Sequence, residues 1–393
     1  MIPPHHTARE GATDRTGPAR RVVLINPRST HVDEIAQKVF PPINLLYLAA
    51  ALRQAGLEPT VVEANALALS HAQVVEEVRR LRPALVGISL YTDILAQVRR
   101  LARQLKAACP EVRLVLGGHH ATSWPRRTME HFPEADFVLR GEAEHALPAL
   151  VRAMAGELDH DQVPGLLWRD PDGAAQVGAE MELPDPEHLP LPARDLLTDL
   201  YDEERYYALM VRARPVDALI SSRGCPFACG FCYNFRQRYR ARSPEAVVEE
   251  MEGIRRRGVR DIEICDDTFT VDRGRALAIF DLIIKRRLDI SFRIKSRVDV
   301  FDEELCRRAA RAGVYMASFG MESGSPAQLE RMAKGATPEM NARAAALCRR
   351  HGILCHSSWL VGYPGETLET VSETEAQIHA IRPDTVNISV LRP

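Results

Sequence analysis

The chain has 393 residues, 46% of them hydrophobic and 26% charged, enough apolar side chain to bury cores in two or three domains and too much for a chain disordered over most of its length. Its 51 basic and 53 acidic residues nearly cancel, to a formal net charge of -2, so nothing in the balance calls for a polyanion and nucleic acid is not an expected partner. Charges interrupt every apolar run before it reaches the eighteen residues of a membrane span, and the polar start of the chain has no apolar leader core, which makes cytoplasmic residence the expectation.

Residues 1–20 are rich in Pro, Gly and charge and read as a disordered tail. From Arg21 onward, short runs rich in Val, Ile and Leu read as buried strands at 21–27, 59–64, 84–90, 113–118 and 136–141, separated by amphipathic helical patterns at 43–56, 72–82 and 94–108. That alternation predicts an α/β, doubly wound parallel-sheet (Rossmann-like) domain over 21–156. The next stretch, 157–214, holds Pro164, Pro171, Pro184, Pro186, Pro190 and Pro192 with little periodicity and reads as a Pro-rich linker lying on the domains.

A second alternating series fills 215–393, with strands expected at 216–222, 261–267, 290–296, 314–322, 353–362 and 385–393. Ser243 as N-cap, Pro244 at the first helical position, an apolar face of Val247, Val248, Met251 and Ile254, and Gly258 past the end mark one helix of this series clearly. Six strand and helix units without an antiparallel signal predict a partial (β/α)6 barrel, whose chemistry belongs at the carboxyl ends of its strands.

The segment "SSRGCPFACGFCYNF", Ser221 to Phe235, places Cys225, Cys229 and Cys232 on one tight loop, while Cys109, Cys265, Cys306, Cys348 and Cys355 are dispersed along the chain. This pattern points to a metal site rather than a disulfide framework. A structural zinc would need a fourth ligand close by, and none is present: His31, His119 and His120 belong to the first domain, and His351 and His356 lie over a hundred residues away. A 4Fe-4S cluster held by three thiolates keeps one iron without a protein ligand, free to bind something that reacts.

The C-x3-C-x-aromatic-C pattern, with Phe231 as the aromatic residue, at the end of a first barrel strand resembles the signature of the radical S-adenosylmethionine (SAM) superfamily, and the resemblance extends over 215–393. It implies that Cys225, Cys229 and Cys232 ligate the cluster and carry the catalysis, that the open iron chelates the amino and carboxylate groups of SAM, and that reductive cleavage gives a 5'-deoxyadenosyl radical. It also implies cofactor contacts at the strand ends. "CDDTF" offers Asp266 and Asp267 to the amino end of SAM, or as helix N-caps; "KSRVD" offers Arg297 to a carboxylate; "FGMESGS" offers Glu322 and Ser323; "WLVGYPGET" offers Gly362, with Gly365, near the adenine. The arginines of "FRQRYRAR" (235–242) read as a solvated face or, more weakly, as contacts for an anionic substrate.

The first domain resembles the cobalamin-binding domain of the B12-dependent branch of that superfamily, on "PPINLLYLAAALRQAG", "VLGGHHAT" and "FVLRGEAE". The resemblance implies that Ser89, and Gly117 and Gly118 beginning 28 residues later, line the cobalamin tail. The D-x-H-x-x-G motif is absent and Tyr91 replaces the usual Leu, so cobalamin would have no histidine below its cobalt. A Rossmann-like domain that has lost the cofactor is the other reading. His119 and His120 read by default as capping or surface residues.

Together these resemblances imply a cobalamin-dependent radical SAM enzyme, a methyltransferase that moves methyl from methylcobalamin to a small-molecule substrate radical, with a flavodoxin or ferredoxin as electron donor. The alternatives are a B12-domain radical SAM cyclase or rearrangement enzyme without methyl transfer and, from another class, a cluster-binding redox-sensing module. A methylthiotransferase is disfavoured, because the N-terminal domain has only Cys109 where a second cluster would need several thiols. Family members usually continue beyond a sixth strand, so a truncated form or a partner that closes the barrel is expected.

Overall fold

A computed structural model describes residues 20–29, 38–232 and 237–391; the tail up to residue 19, His31 and the arginine at 236 lie outside the described residues. The chain divides into two compact units, one of residues 1–184 with 189–200, the other of 185–188 with 201–393.

The first unit is built on strands β1 (Arg21–Asn26), β2 (Glu58–Glu63), β3 (Leu85–Ser89), β4 (Arg113–Gly117), β5 (Phe137–Leu139), β6 (Leu166–Arg169) and β7 (Ala175–Val177), in the order β2-β1-β3-β4-β5-β6-β7. The first five run parallel, as their apolar runs require, and every residue of β3 is buried. Helices Ile43–Gln54, His71–Leu81 and Leu95–Ala108 cover the faces. The second of them starts at a capping box: Ser70 Oγ accepts from Gln73 N and Gln73 Oε1 accepts from Ser70 N. Because the order reverses between β1 and β3, the carboxyl ends of those strands flank the crevice in which such sheets take ligands.

The span 157–214, expected as a linker, is different. It contributes β6 and β7, which extend the sheet antiparallel from β5. Their turn is set by Asp170, whose Oδ1 accepts from the backbone N–H of Asp172 and Ala174, and by Gly173 at φ +82°. None of the six prolines falls within either strand; the two strands pair directly with no helix between them, so no strand-and-helix alternation marks them.

The second unit carries β8 (Val216–Leu219), β9 (Ser222–Arg223), β10 (Arg240–Ala241), β11 (Asp261–Ile264), β12 (Ser291–Ser296), β13 (Val314–Glu322), β14 (Leu354–Val361) and β15 (Thr385–Val390). All but β9 and β10 form one parallel sheet in sequential order, β8-β11-β12-β13-β14-β15, the partial barrel that the sequence predicts. The helix Pro244–Arg256 begins at Ser243, whose Oγ accepts from Ala246 N, and Gly258 follows it at φ +92°. Strands β9 and β10 form a short antiparallel ribbon at the top of β8, and the cysteine loop runs between them. Among the described residues no helix is long and apolar enough to cross a membrane.

Candidate functional site

The cysteine loop is anchored at its root. Asp266, at the carboxyl end of β11, is buried and accepts four hydrogen bonds: from Ser221 N (2.7 Å), Ser221 Oγ (2.5 Å), Ser222 N (3.0 Å) and Ser222 Oγ (2.6 Å). Its acceptor capacity is therefore spent on the backbone that enters the loop. This corrects the expectation that Asp266 faces a ligand amine: a carboxylate with four donors at these distances is a structural clamp. Asp267 beside it is exposed.

The far end of the loop is held as firmly. Arg242 is buried against Glu250 and donates to the carbonyls of Ile220 (3.3 Å) and Ala246 (3.1 Å), while Arg275 donates to the carbonyls of Arg242 and Ser221, both at 2.7 Å. Arg242, within the stretch read from sequence as a solvated face, thus belongs to the scaffold of the loop, its planar fork bridging Glu250 and two carbonyls. Between these anchors Gly224 sits at φ +77°, where a Cβ would stand 2.8 Å from the Gln237 carbonyl. Gly230 N donates to Met332 O (2.8 Å) and Cys232 N to Cys229 O (3.1 Å).

Around the cysteines the strand ends bring several charged groups together. Arg297, just past β12, donates from Nε and Nη2 to the two oxygens of Asp299 (2.9 and 2.8 Å), from Nη2 also to the Lys334 carbonyl, and from Nη1 to Cys229 Sγ at 3.5 Å; its guanidinium lies 3.8 Å over the Phe227 ring. Burial works against its charge, but Asp299 and Cys229 more than offset that and hold its pKa above the ordinary arginine value. Lys334 pairs with Glu322 (2.9 Å), both buried, and its ammonium lies 5.5 Å over the ring of Phe231. Glu322 occupies φ +64°, a conformation that non-glycine residues seldom take, where the β13–β14 register slips. The glycine loop after β14 joins the same region: Arg331 Nη1 donates to Gly365 O (2.6 Å) and Tyr363 Oη to Arg331 O (3.3 Å).

Two residues expected at the ligand have polar groups held by neighbours in the chain. Ser323 Oγ is engaged by Thr374 Oγ1 (3.0 Å) and by Ser325 N (3.1 Å), so its hydroxyl ties β13 to the helix Leu368–Ile381. Gly362, at φ +85°, donates its N–H to Glu366 Oε2 at 2.6 Å, which makes Glu366 the brace of that turn. Lys334, Asp299 and Phe227 were not singled out from sequence. Lys334 carried a signal all the same, as one of five lysines in a chain whose basic residues are otherwise arginine.

None of Cys225, Cys229 and Cys232 is in a disulfide, the first two half-buried and the third exposed. Among the described residues no three His, Cys, Asp or Glu side chains are drawn together closely enough to hold a metal ion. The fit to an iron-sulfur cluster therefore rests on donor chemistry: three soft thiols on one anchored loop, beside the buried guanidinium of Arg297. Cys265, just past the end of β11, directs its thiol to Glu263 O at 3.8 Å, and burial pushes its pKa up to about 12. Cys306, Cys348 and Cys355, dispersed in sequence, are all buried, and hydrogen bonding with Cys306 and Cys355 pushes the Cys348 thiol up.

On the first unit, Ser89 and Gly117 end β3 and β4 side by side in register. Gly118 stands at φ +98°, and a Cβ there would lie 3.1 Å from both N and O of Leu90. The fold itself demands that glycine. Gly117 is different: a Cβ would meet only Leu139 O, at 3.8 Å, so the protein leaves open space beside it. Ser89 is buried and within 3.4 Å of Asn44 Nδ2, and Asn26 at the end of β1 donates to both oxygens of Glu63 at 2.9 Å. His120 is committed to the scaffold, with Nδ1 3.0 Å from Thr92 Oγ1 and burial lowering its pKa, and the His119 ring lies 5.6 Å from that of Tyr91.

Residues 32–151 match the model of the B12 binding domain family, and residues 219–378 match that of the radical SAM superfamily. An uncharacterized methyltransferase of Pyrococcus horikoshii is 30% identical over 357 residues, covering 90% of this chain and 76% of the relative. An anaerobic magnesium-protoporphyrin IX monomethyl ester cyclase of Rubrivivax gelatinosus is 31% identical over 386 residues, 95% of this chain and 68% of the relative. In fold the chain is similar to the radical SAM methyltransferase TsrM of Kitasatospora setae, solved with cobalamin and an iron-sulfur cluster bound, at a TM-score of 0.78 and 23% identity over 95% of this chain and 76% of that one. With both domain models matched in order along one chain, and a relative at this identity over most of its length, the protein belongs to the radical SAM superfamily, in the branch that carries a B12-binding domain.

Proposed function

We propose that this enzyme is a cobalamin-dependent radical SAM methyltransferase. The observation that carries the reading is a triplet of thiols, without a fourth, on a loop anchored at the carboxyl edge of a six-stranded parallel sheet. When bound, a 4Fe-4S cluster with SAM supplies the 5'-deoxyadenosyl radical, and cobalamin supplies the methyl group.

Cys225, Cys229 and Cys232 hold the cluster. The Asp266 clamp and the Arg242 and Arg275 donors fix both ends of the loop that presents them. Glu322 and Lys334, a buried ion pair within reach of Phe231, orient the polar groups of SAM, and Gly362 lets backbone lie close to its adenine. On the first unit Ser89, Gly117 and Gly118 line the cobalamin site; the space beside Gly117 supports this, because among the described residues only Leu139 O comes near where its Cβ would stand. The substrate is a small molecule, and a flavodoxin or ferredoxin delivers the electron.

The test is anaerobic reconstitution with iron, sulfide and hydroxocobalamin, followed by dithionite and methyl-labelled SAM. Formation of 5'-deoxyadenosine together with label on cobalt supports the reading; tetrahedral zinc, or an iron cube indifferent to SAM, overturns it. A second reading, cyclisation or rearrangement without methyl transfer, is favoured by the cyclase among the relatives. It predicts 5'-deoxyadenosine with no label leaving SAM as methyl.

A further inference from the structure

Arg297 stands at the carboxyl end of β12, where sequence reasoning expects it to meet a ligand carboxylate. Its fork is already committed. The Nε and Nη2 edge faces Asp299, Nη2 also serves the Lys334 carbonyl, and the plane of the guanidinium rests on Phe227. Both N–H groups of Nη1 remain, and Nη1 donates to the sulfur of Cys229, 3.5 Å away. Only 6% of Arg297 is exposed, so this donor is screened little by salt and cannot swing aside without breaking three other contacts.

We propose that Arg297 is a positioning residue that sets the reduction potential of the cluster, through the hydrogen bond from its Nη1 to the Cys229 sulfur. The inference rests on the assignment of Cys225, Cys229 and Cys232 as cluster ligands. Reduction of a 4Fe-4S cluster from the 2+ to the 1+ state takes one electron from a low-potential donor of the flavodoxin or ferredoxin class, with no bond made or broken and no proton moved, so the cluster and its thiolates become more negative by one charge. A buried cation whose N–H points at a ligand sulfur stabilises the more negative state and raises the potential. Asp299 does not cancel the effect, because it occupies the opposite edge of the guanidinium and leaves the positive Nη1 corner nearest to sulfur.

The test is a redox titration of anaerobically reconstituted full-length protein, followed by electron paramagnetic resonance in the absence of SAM. At the potential where the wild type is half reduced, Arg297→Met should show a ratio of reduced to oxidised cluster about tenfold lower, a shift of about 59 mV for a one-electron couple. Arg297→Gln, which is neutral yet can still bond the Lys334 carbonyl, should fall to the same degree and carries the test if the Met variant does not fold. Arg297→Lys should recover part of the shift. A merely structural role would lower cluster content without moving the midpoint. Variants that bind wild-type amounts of iron and sulfide and titrate with the wild type overturn the inference while the cluster assignment stands. A wild type that assembles no 4Fe-4S cluster overturns both.

Discussion

The two candidate sites are built in opposite ways. At the edge of the first sheet the site is backbone: strand ends in register, a glycine at φ +98° packed on Leu90, and open space beside Gly117. At the barrel edge it is side chain: a loop whose three thiols are not drawn together, held at both ends by Asp266, Arg242 and Arg275. A bulky, preformed ligand lies best against a surface that needs little rearrangement, which backbone strand ends supply. A cluster assembled from iron and sulfide needs thiols that can close on it, so the rigidity is placed at the roots of the loop.

The comparison breaks most visibly at the thiols. Replacing Cys229 by Ala should reduce bound iron and 5'-deoxyadenosine formation to background while leaving hydroxocobalamin bound, read by metal analysis and the corrin spectrum. Retention of a catalytically competent cluster would refute the ligand assignment. Next in size is the anchor. Asp266→Ala strands two buried backbone N–H groups and two hydroxyls and should cost on the order of 3 kcal/mol or more in urea unfolding of the second unit, with cluster content falling in parallel.

The glycine pair sharpens the contrast. Gly118→Ala should cost about 1–3 kcal/mol, from the left-handed backbone and the contact with Leu90. Gly117→Ala should leave stability within roughly 1 kcal/mol of wild type, yet weaken cobalamin retention measured by equilibrium dialysis; unchanged retention would remove Gly117 from the site.

The smallest effect lies at the opposite end of the first sheet. Burial opposes ionisation of Asp136, but Lys106, Arg113 and the Leu114 N–H outweigh it and hold the carboxyl below its ordinary value. A depressed folded-state pKa stabilises at pH above the ordinary carboxylate range and is lost as pH falls through the folded value. Asp136→Asn should therefore cost about 1 kcal/mol at pH 7 and progressively less toward pH 3, checked by urea midpoints across that range.

Much of this architecture is visible before any coordinates. The strands β1 to β5 and the six barrel strands lie in apolar stretches set between helical patterns and so mark themselves, and Ser243, Pro244 and Gly258 punctuate their helix as written. Strands β6 and β7 are not visible, because they sit among six prolines with no helical pattern between them, so the alternation that marks the other strands is missing. Side chains have their own limit. The sequence places Asp266, Arg297, Glu322 and Ser323 at strand ends, but a carboxylate clamping two serines and one awaiting a ligand look alike in one dimension.

Read by itself, the sequence determined the order of the two domains, the thiol triplet and its edge of the sheet, because spacing and strand periodicity are properties of the chain. Only the folded molecule decided which polar residues are already satisfied and which remain to act. Asp266 and Ser323 turned out to be occupied with their own backbone and neighbours, whereas Arg297, Glu322 and Lys334 gathered near the cysteines from segments up to about a hundred residues apart. Hydrogen-bond satisfaction is a three-dimensional property, set by which donors the packing brings within about 3 Å, and no spacing rule along the chain encodes it.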